Sequence, residues 1–359
     1  MKKKDSNFKV AIIGPYPPPY GGISIHVQRV HYHLQEKGIE HAVYTKTDEG
    51  TANLINISQR RKWLLKYFFT AKENILHFHS IDWRERVLVG LMGFGGRKVV
   101  LTIHGESLNS QISQSNWIKK KTLIWALRNI ANIIVVNPKT KDLLTSLGIK
   151  SEKVKHIPAF IPPLVKDDDI EEIPQNVLDF IDTHKPVISA NASKIVFYNN
   201  EDLYGIDMCI DVCANLKKYY PQIGFVFCLP DIGDYEYFHK MKQRVKEKEI
   251  RDNFLFQTKP CQLYPIIRKS DVFVRPTNTD GDAISLREAL YFKIPSVASD
   301  AVPRPEGAIL FRTRNIDDLS LKIKDVLVNY EQHKKKLEEI NLENNFKNVM
   351  RVYQNLESK

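Results

Sequence analysis

Short apolar runs of strand length alternate with amphipathic stretches along nearly the whole chain, and this alternation narrows the fold more than any other feature. Residues 8–14, 39–45, 74–79, 98–104 and 132–137 read as strands, and 25–37, 57–70 and 115–130 as helices between them. Gly38 stands where a helix C′ glycine belongs. Strands separated by helices specify a parallel sheet with helices on both faces. The pattern lapses in the proline-containing and acidic segment after Pro158, and residues 166–186 are predicted to be a linker. It then restarts, with strands at 187–190, 223–228, 253–256, 272–274 and 296–298 and helices at 206–219, 235–248, 261–269 and 285–292. Two charged helices, 316–337 and 341–356, end the chain. The predicted class is α/β, with two Rossmann-like doubly wound parallel-sheet domains facing a central cleft. In such sheets ligands bind outside the carboxyl ends of the strands.

Composition agrees and removes other classes. A chain of 359 residues is long for one core. No apolar run approaches the ~20 residues that span a bilayer, and the apolar VAII near the start is too short for a signal sequence. Cys209, Cys213, Cys228 and Cys261 are too few for a disulfide scaffold and lack zinc spacing, which suits a reducing cytoplasm. The net charge of +11 is unevenly placed. Residues 1–165 hold 25 Lys and Arg against 11 Asp and Glu, whereas 166–359 hold 28 against 31. The positive excess therefore lies in the first half and argues for an anionic partner there.

Three motifs carry chemistry. The first strand runs through PYPPPYGG into a helix, where Gly21 and Gly22 allow close backbone approach and the helix start favours negative charge. It is neither a GxGxxG nor a GxxxxGK loop. In TIHGES, His104 lies just beyond a strand and can face a phosphate or a sugar hydroxyl. His77 and His79 in ILHFHS share one side of their strand, with no further metal ligands at helpful spacing, so structural hydrogen bonds serve equally well. The most specific motif is NTDGDAISLREAL, in which Asp280 lies in a loop and Glu288 eight residues later in the helix it opens. Amides near Asp282–Ile284 form an anion-binding helix start, and Glu288 can accept from two ribose hydroxyls. The plainer alternative is that Asp280 or Ser285 caps the helix and Glu288 is a solvated surface charge.

Taken together, PPPYGGIS, LTIHG, VKHIPAFI and SDVFVRPTNTDGDAISLREALYFKIPSVASD resemble the GT-B glycosyltransferases of retaining family 4 over nearly the whole chain. That resemblance implies an acceptor-binding domain at 1–165, a nucleotide-sugar domain at 187–337, and a last helix at about 338–359 packing back on the first. It implies that Gly21 and Gly22 lie near the donor phosphates, that His104 and Asp280 contact the transferred sugar, and that Glu288 holds the ribose. Asp282, Ala283, Ile284 and Ser285 would bind sugar or phosphate through backbone amides. The implied reaction moves a hexosyl or N-acetylhexosaminyl group from a UDP- or GDP-sugar to a hydroxyl of a lipid-linked or polysaccharide acceptor, in bacterial capsule, exopolysaccharide or glycolipid assembly. No metal or other cofactor is expected. The chain departs from the family in having Asp280 for Glu, GDAIS for GFGLP, and Tyr204 where a Lys precedes Gly. Lys194 is then the candidate cation for the diphosphate. A catalytically weak partner subunit and a nucleotide-sugar epimerase are the alternatives on the same scaffold. A nucleic-acid partner is not expected, for want of a recognition motif.

Two stretches, RRKWLLKYFF with Arg60 and Arg61 and WIKKKTLIW with Lys119, Lys120 and Lys121, mix basic and aromatic residues as interfacial helices do. They predict a cytoplasmic protein held peripherally on an anionic membrane surface, the inner face of the cell membrane.

Overall fold

The computed structural model describes residues 8–18, 20–46, 53–57, 60–80, 82–105, 107–165 and 173–358, without the side chains of 60, 61 and 65. The chain divides into two compact units, one running to Leu164 and resuming at Asn344, the other spanning Val165–Glu343.

The first unit contains β1 (Val10–Ile13), α1 (Gly22–Glu36), β2 (His41–Thr45), β3 (Leu54–Asn56), α2 (Arg60–Thr70), β4 (Ile75–His79) and α3 (Trp83–Phe94). It continues through β5 (Lys98–Ile103), α4 (Ser107–Gln114), α5 (Trp117–Asn129), β6 (Asn132–Val135), α6 (Pro138–Ser146) and β7 (Val154–His156). Its seven strands run parallel in the order β3-β2-β1-β4-β5-β6-β7. β1 and β4 are wholly buried because both faces of the sheet are covered, which is why β1 reads as an unbroken apolar run and β4 as one interrupted only by His77 and His79.

The second unit contains α7 (Gln175–Thr183), β8 (Val187–Asn191), β9 (Phe197–Tyr198), β10 (Glu201–Asp202), α8 (Ile206–Lys217), β11 (Gly224–Cys228) and α9 (Tyr235–Glu247). Next come β12 (Phe254–Gln257), α10 (Tyr264–Arg268), β13 (Val272–Arg275), α11 (Ile284–Tyr291), β14 (Ser296–Ser299), β15 (Ile309–Phe311), α12 (Ile316–Val328) and α13 (Tyr330–Glu338). Its parallel sheet has the order β12-β11-β8-β13-β14-β15, beside a separate antiparallel β9-β10 pair. Ile188, Ala190, Phe225, Phe227, Val274 and Val297 are fully buried in its core. Each side chain of the size of Phe or Ile contributes about 1.5–3 kcal/mol when wholly removed from water.

Three sequence expectations are corrected. α1 begins at Gly22, three residues earlier than predicted, because Gly21 is its extended N-cap and Ser24 Oγ accepts from the Gly21 N–H. The predicted 166–186 linker holds α7, whose Val177 and Ile181 are buried with Val187, Val226 and Ile266 of the second unit. The strongly one-sided apolar pattern of that helix was masked by its proline and acidic flanks. The 316–337 helix is two, broken at Asn329, which ends α12 with a non-helical ψ and precedes α13. The last helix, α14 (Phe346–Glu357), packs in the first unit, with Phe346, Val349 and Tyr353 in the same core as Val10 and Ile75. Counting α14 there, that unit has 28 Lys and Arg against 12 Asp and Glu, so the charge asymmetry deepens. No described helix is long and apolar enough to cross a membrane.

Candidate functional site

Each sheet reverses its strand order at one place, between β8 and β13 in the second unit and between β1 and β4 in the first. Such reversals open a crevice at the carboxyl ends of the strands.

In the second unit those ends are Asn191 and Arg275, and they touch. Arg275 Nη1 donates to the Asn191 carbonyl at 3.1 Å and to its Oδ1 at 3.3 Å. Arg275 Nε and Nη2 donate to Asp280 at 2.9 and 3.3 Å. From beyond β14, Arg304 Nη1 donates to the same carboxylate at 3.0 Å, while its Nη2 donates to Thr277 Oγ1 and Ser299 Oγ at 2.8 Å each. Thr277 Oγ1 also donates to Asp280 at 3.2 Å. Burial alone would raise the Asp280 carboxyl, but the Arg275 and Arg304 guanidiniums outweigh it and hold it below its ordinary range. The side chains of the cluster are largely buried and set two guanidiniums against one carboxylate, leaving one positive charge in excess.

The surrounding loops are built to hold it. Asp202 accepts from the Tyr204 and Ile206 amides at 3.0 and 2.8 Å, which fixes the start of α8. Gly205 sits at φ +65°, and a Cβ there would lie 2.8 Å from the Pro276 carbonyl oxygen, so only glycine allows the close approach. Tyr204 then lies with its ring 5.0 Å from the Arg275 guanidinium. Thus the tyrosine at the position of the family's lysine covers an arginine donated by a different strand. Lys194 is exposed in the loop after β8.

Asp280 is therefore engaged inside the protein, by two arginines and Thr277, rather than presented alone to a sugar. The capping alternative does not hold, because Ala283 is the N-cap of α11 and makes no side-chain bond there. The first turn of α11 has no acidic residue, so its amide end stays favourable to an anion. Asp282 is ion-paired with Arg287, and Ser285 and Glu288 are buried. With an exposure of 4 %, Glu288 is not a solvated surface charge. Arg275, Arg304 and Asn191 were missed by sequence reasoning. The signal for Arg275 was an arginine closing the apolar strand DVFVR, a position where a charge needs a partner.

In the first unit, Gly14 follows β1, and a Cβ there would lie 2.9 Å from that of His79. His79 ends β4, His104 follows β5 and His26 lies on α1 one turn from Gly22. His79 Nδ1 and His104 Nε2 are 3.1 Å apart. His77 is structural, as one reading of it allowed: its nitrogens bond Tyr353 Oη at 2.5 Å and Thr102 Oγ1 at 2.7 Å, which ties α14 to the sheet. Burial, reinforced by the neighbouring His26, His77 and Arg86, keeps His104 neutral with its pKa well below the ordinary value. Gly21 and Gly22 head α1, which has no acidic residue in its first turn.

The basic helices form one surface with α3. Lys119, Lys120 and Lys121 are exposed on α5, and Trp117 and Ile118 beside them are exposed by 67 % and 56 %. Phe94 of α3 meets Trp125 of α5 at a ring separation of 5.7 Å. Between α2 and α3 lies a crevice of about 240 Å³ lined by Leu64, Phe68, Phe69, Leu88, Leu91 and Phe94. The side chains of Arg60 and Arg61 lie outside the described residues.

The sequence matches the family described as Glycosyl transferases group 1 over residues 179–343 and that described as Glycosyltransferase Family 4 over residues 20–163. No curated protein gives a significant match in sequence. Among solved structures, Anabaena HepE in complex with UDP-glucose is similar in fold, with a TM-score of 0.68 at 13 % identity over 98 % of this chain and 99 % of that one. A glycosyltransferase from Rickettsia africae is similar with a TM-score of 0.67 at 12 % identity, over 98 % and 99 % of the two chains. WaaG, a glycosyltransferase involved in lipopolysaccharide biosynthesis, is similar with a TM-score of 0.64 at 12 % identity, over 95 % and 98 %.

Proposed function

The chain is a nucleotide-sugar glycosyltransferase of the GT-B fold, and from that premise we propose that it transfers a hexosyl or N-acetylhexosaminyl group, with retention, to a hydroxyl of a lipid-linked or polysaccharide acceptor in bacterial surface-glycan assembly. The observation that carries the reading is the excess positive charge of Arg275, Asp280 and Arg304 at the strand reversal of the second unit. A departing nucleoside diphosphate concentrates negative charge, and a fixed cation in a low-dielectric site stabilises it without reorganisation. Arg275 and Arg304 take this work together with Lys194, and the α11 amides of Asp282, Ala283, Ile284 and Ser285 add their partial charge. Asp280 acts as the counter-ion that holds both guanidiniums in place. Glu288 accepts from the ribose hydroxyls, and Gly21, Gly22 and His104 face the phosphates and the transferred sugar.

In the step itself the anomeric C–O bond to the phosphate breaks and a bond to the acceptor oxygen forms on the same face. The acceptor proton passes to the leaving phosphate oxygen. Positioning and charge stabilisation supply the rate, and no metal enters the step. The test is a thermal-shift screen of UDP, GDP and their sugars, with UDP-glucose first because the structurally similar HepE holds it. A ligand at a hundredfold excess over its Kd stabilises by about 2.7 kcal/mol, so one base should raise the melting temperature by several degrees. If no nucleoside diphosphate stabilises the protein, the donor assignment is lost.

The acceptor side rests on the surface of α2, α3 and α5. Phe69 is exposed by 79 % beside the apolar crevice, and α5 presents three consecutive lysines and no acid. That combination suits an anionic lipid surface on the cytoplasmic side, with apolar side chains entering the headgroup boundary. Co-sedimentation with phosphatidylglycerol vesicles should fall steeply as salt rises, and Lys119→Glu/Lys120→Glu/Lys121→Glu should reduce it at low salt. Equal binding to neutral phosphatidylcholine vesicles would sink the electrostatic part.

A further inference from the structure

At the strand reversal of the first unit, His79 and His104 share a hydrogen bond and His26 bonds the Ala159 carbonyl, yet the three rings also converge on one point. The ring centroids of His26, His79 and His104 stand 5.3, 5.1 and 5.4 Å apart, a nearly equilateral triangle. One ring nitrogen of each lies within 4.8 Å of one from each of the other two, and all three residues are buried. Zinc binds imidazole nitrogen at about 2.0–2.1 Å, which sets the ring centre about 3.2 Å from the ion. Three such rings in tetrahedral arrangement have centroids about 5.2 Å apart and ligand nitrogens about 3.3 Å apart. The observed centroid triangle agrees with that figure, and the 3.1 Å hydrogen bond between His79 Nδ1 and His104 Nε2 is close to one edge, its proton being released when both nitrogens ligate.

The tautomer of His26 also suits ligation. His26 Nδ1 lies 2.7 Å from the Ala159 carbonyl oxygen, an acceptor only, so Nδ1 carries the proton and Nε2 carries the lone pair. A second nitrogen donating to a backbone carbonyl is the usual outer support of a metal-bound imidazole. Burial keeps His104 neutral, the form that ligates. His77, only 4.2 Å from the His79 ring, is not a fourth ligand, because Tyr353 and Thr102 take both its nitrogens. The opposing influence is Arg86, whose charge bears on His104 while its guanidinium bonds the Ser80 carbonyl, Ser107 and Gln111. With that cation near and no carboxylate in the group, binding in the micromolar range is expected.

We propose that His26, His79 and His104 form a three-histidine site for a divalent transition metal of the zinc type, with water as the remaining ligand. Borderline ions such as Zn²⁺ and Co²⁺ suit an all-imidazole set, whereas Mg²⁺ and Ca²⁺ prefer oxygen. A bound ion takes the ring nitrogen of His104, so it would inhibit the proposed glycosyl transfer rather than assist it; that consequence alone rests on the transferase reading.

The test uses the full-length chain, stripped with EDTA and titrated with CoCl₂ without donor or acceptor. One equivalent of Co²⁺ should give the intense visible bands of a tetrahedral site and be displaced by ZnCl₂. His26→Gln and His79→Gln should each weaken binding at least tenfold, with circular dichroism checking the fold, while His184→Gln, a histidine of the second unit, should bind as the parent does. Should one variant fail to fold, the other and the parent spectrum still decide. A parent protein with only weak, octahedral-type Co²⁺ absorption, or equal binding by the folded trio variants, overturns the site. Because no substrate is present, that failure leaves the transferase reading standing.

Discussion

Asp280→Ala should destabilise the second unit by roughly 3–5 kcal/mol, the usual cost of removing one partner from a buried charge group. At roughly 2–4 °C per kcal/mol for a unit of this size, its melting transition should fall on the order of 10 °C. The reason is that Arg275 and Arg304 both lean on this carboxylate, and both side chains are buried, so its loss leaves two guanidiniums facing each other. Asp280→Asn should cost less, since an amide oxygen still accepts one of the bonds. A residue whose main task was to touch the donor sugar would behave otherwise: turnover would fall and the melting temperature would hold. The pH dependence has a definite sign. The folded-state pKa of Asp280 is depressed, because its two arginines outweigh the effect of burial. Its stabilisation is therefore complete above the unfolded value near 4 and lost as pH falls through the lower folded value. The gap between parent and Asp280→Ala should accordingly be wide at pH 7 and close in acid. A gap that stays constant from pH 7 down to acid unfolding would show that the carboxylate charge is not the source of the effect.

Arg275→Gln should lower kcat/KM for transfer by about 10²–10³, the effect typical of removing one preorganised group that stabilises developing negative charge. It also turns a cluster of net charge +1 into a neutral Arg304–Asp280 pair, so the thermal shift given by a nucleoside diphosphate should shrink with it. Arg275→Lys restores charge but not the fork that spans Asn191 and Asp280, so partial recovery is expected. Lys194→Ala, on the exposed loop after β8, should cost less than Arg275→Gln. If Arg275→Gln is folded and turns over within threefold of the parent while Lys194→Ala is dead, the leaving-group charge is stabilised by Lys194 and not by the buried cluster.

Much of the architecture was legible because burial on both faces of a parallel sheet writes itself into the chain as short, mostly apolar runs. VAII, ILHFH and VFVR could hardly sit elsewhere. The short edge strands β3, β7 and β15 escaped notice because they are partly exposed and lack that signature. α7 was hidden by flanking prolines and acids, although its own apolar stripe is strong. Local motifs located Gly21, Gly22, His104, Asp280 and Glu288 in the loops that follow strands or in the helices those loops open, where ligands of such sheets bind.

The amino-acid order alone determined two doubly wound sheets, a positive first half, and the loop ends from which functional groups arise. All of these depend on local periodicity and composition. What Asp280 does was decided by the tertiary structure, because its partners come from strand end Arg275 and from Arg304, 24 residues beyond it. The gathering of His26, His79 and His104 was decided there too, since α1, β4 and β5 meet only through the strand order of the sheet. Contacts between residues far apart in the chain carry no local signal, and charge at such points acquires its meaning only from what the fold sets beside it.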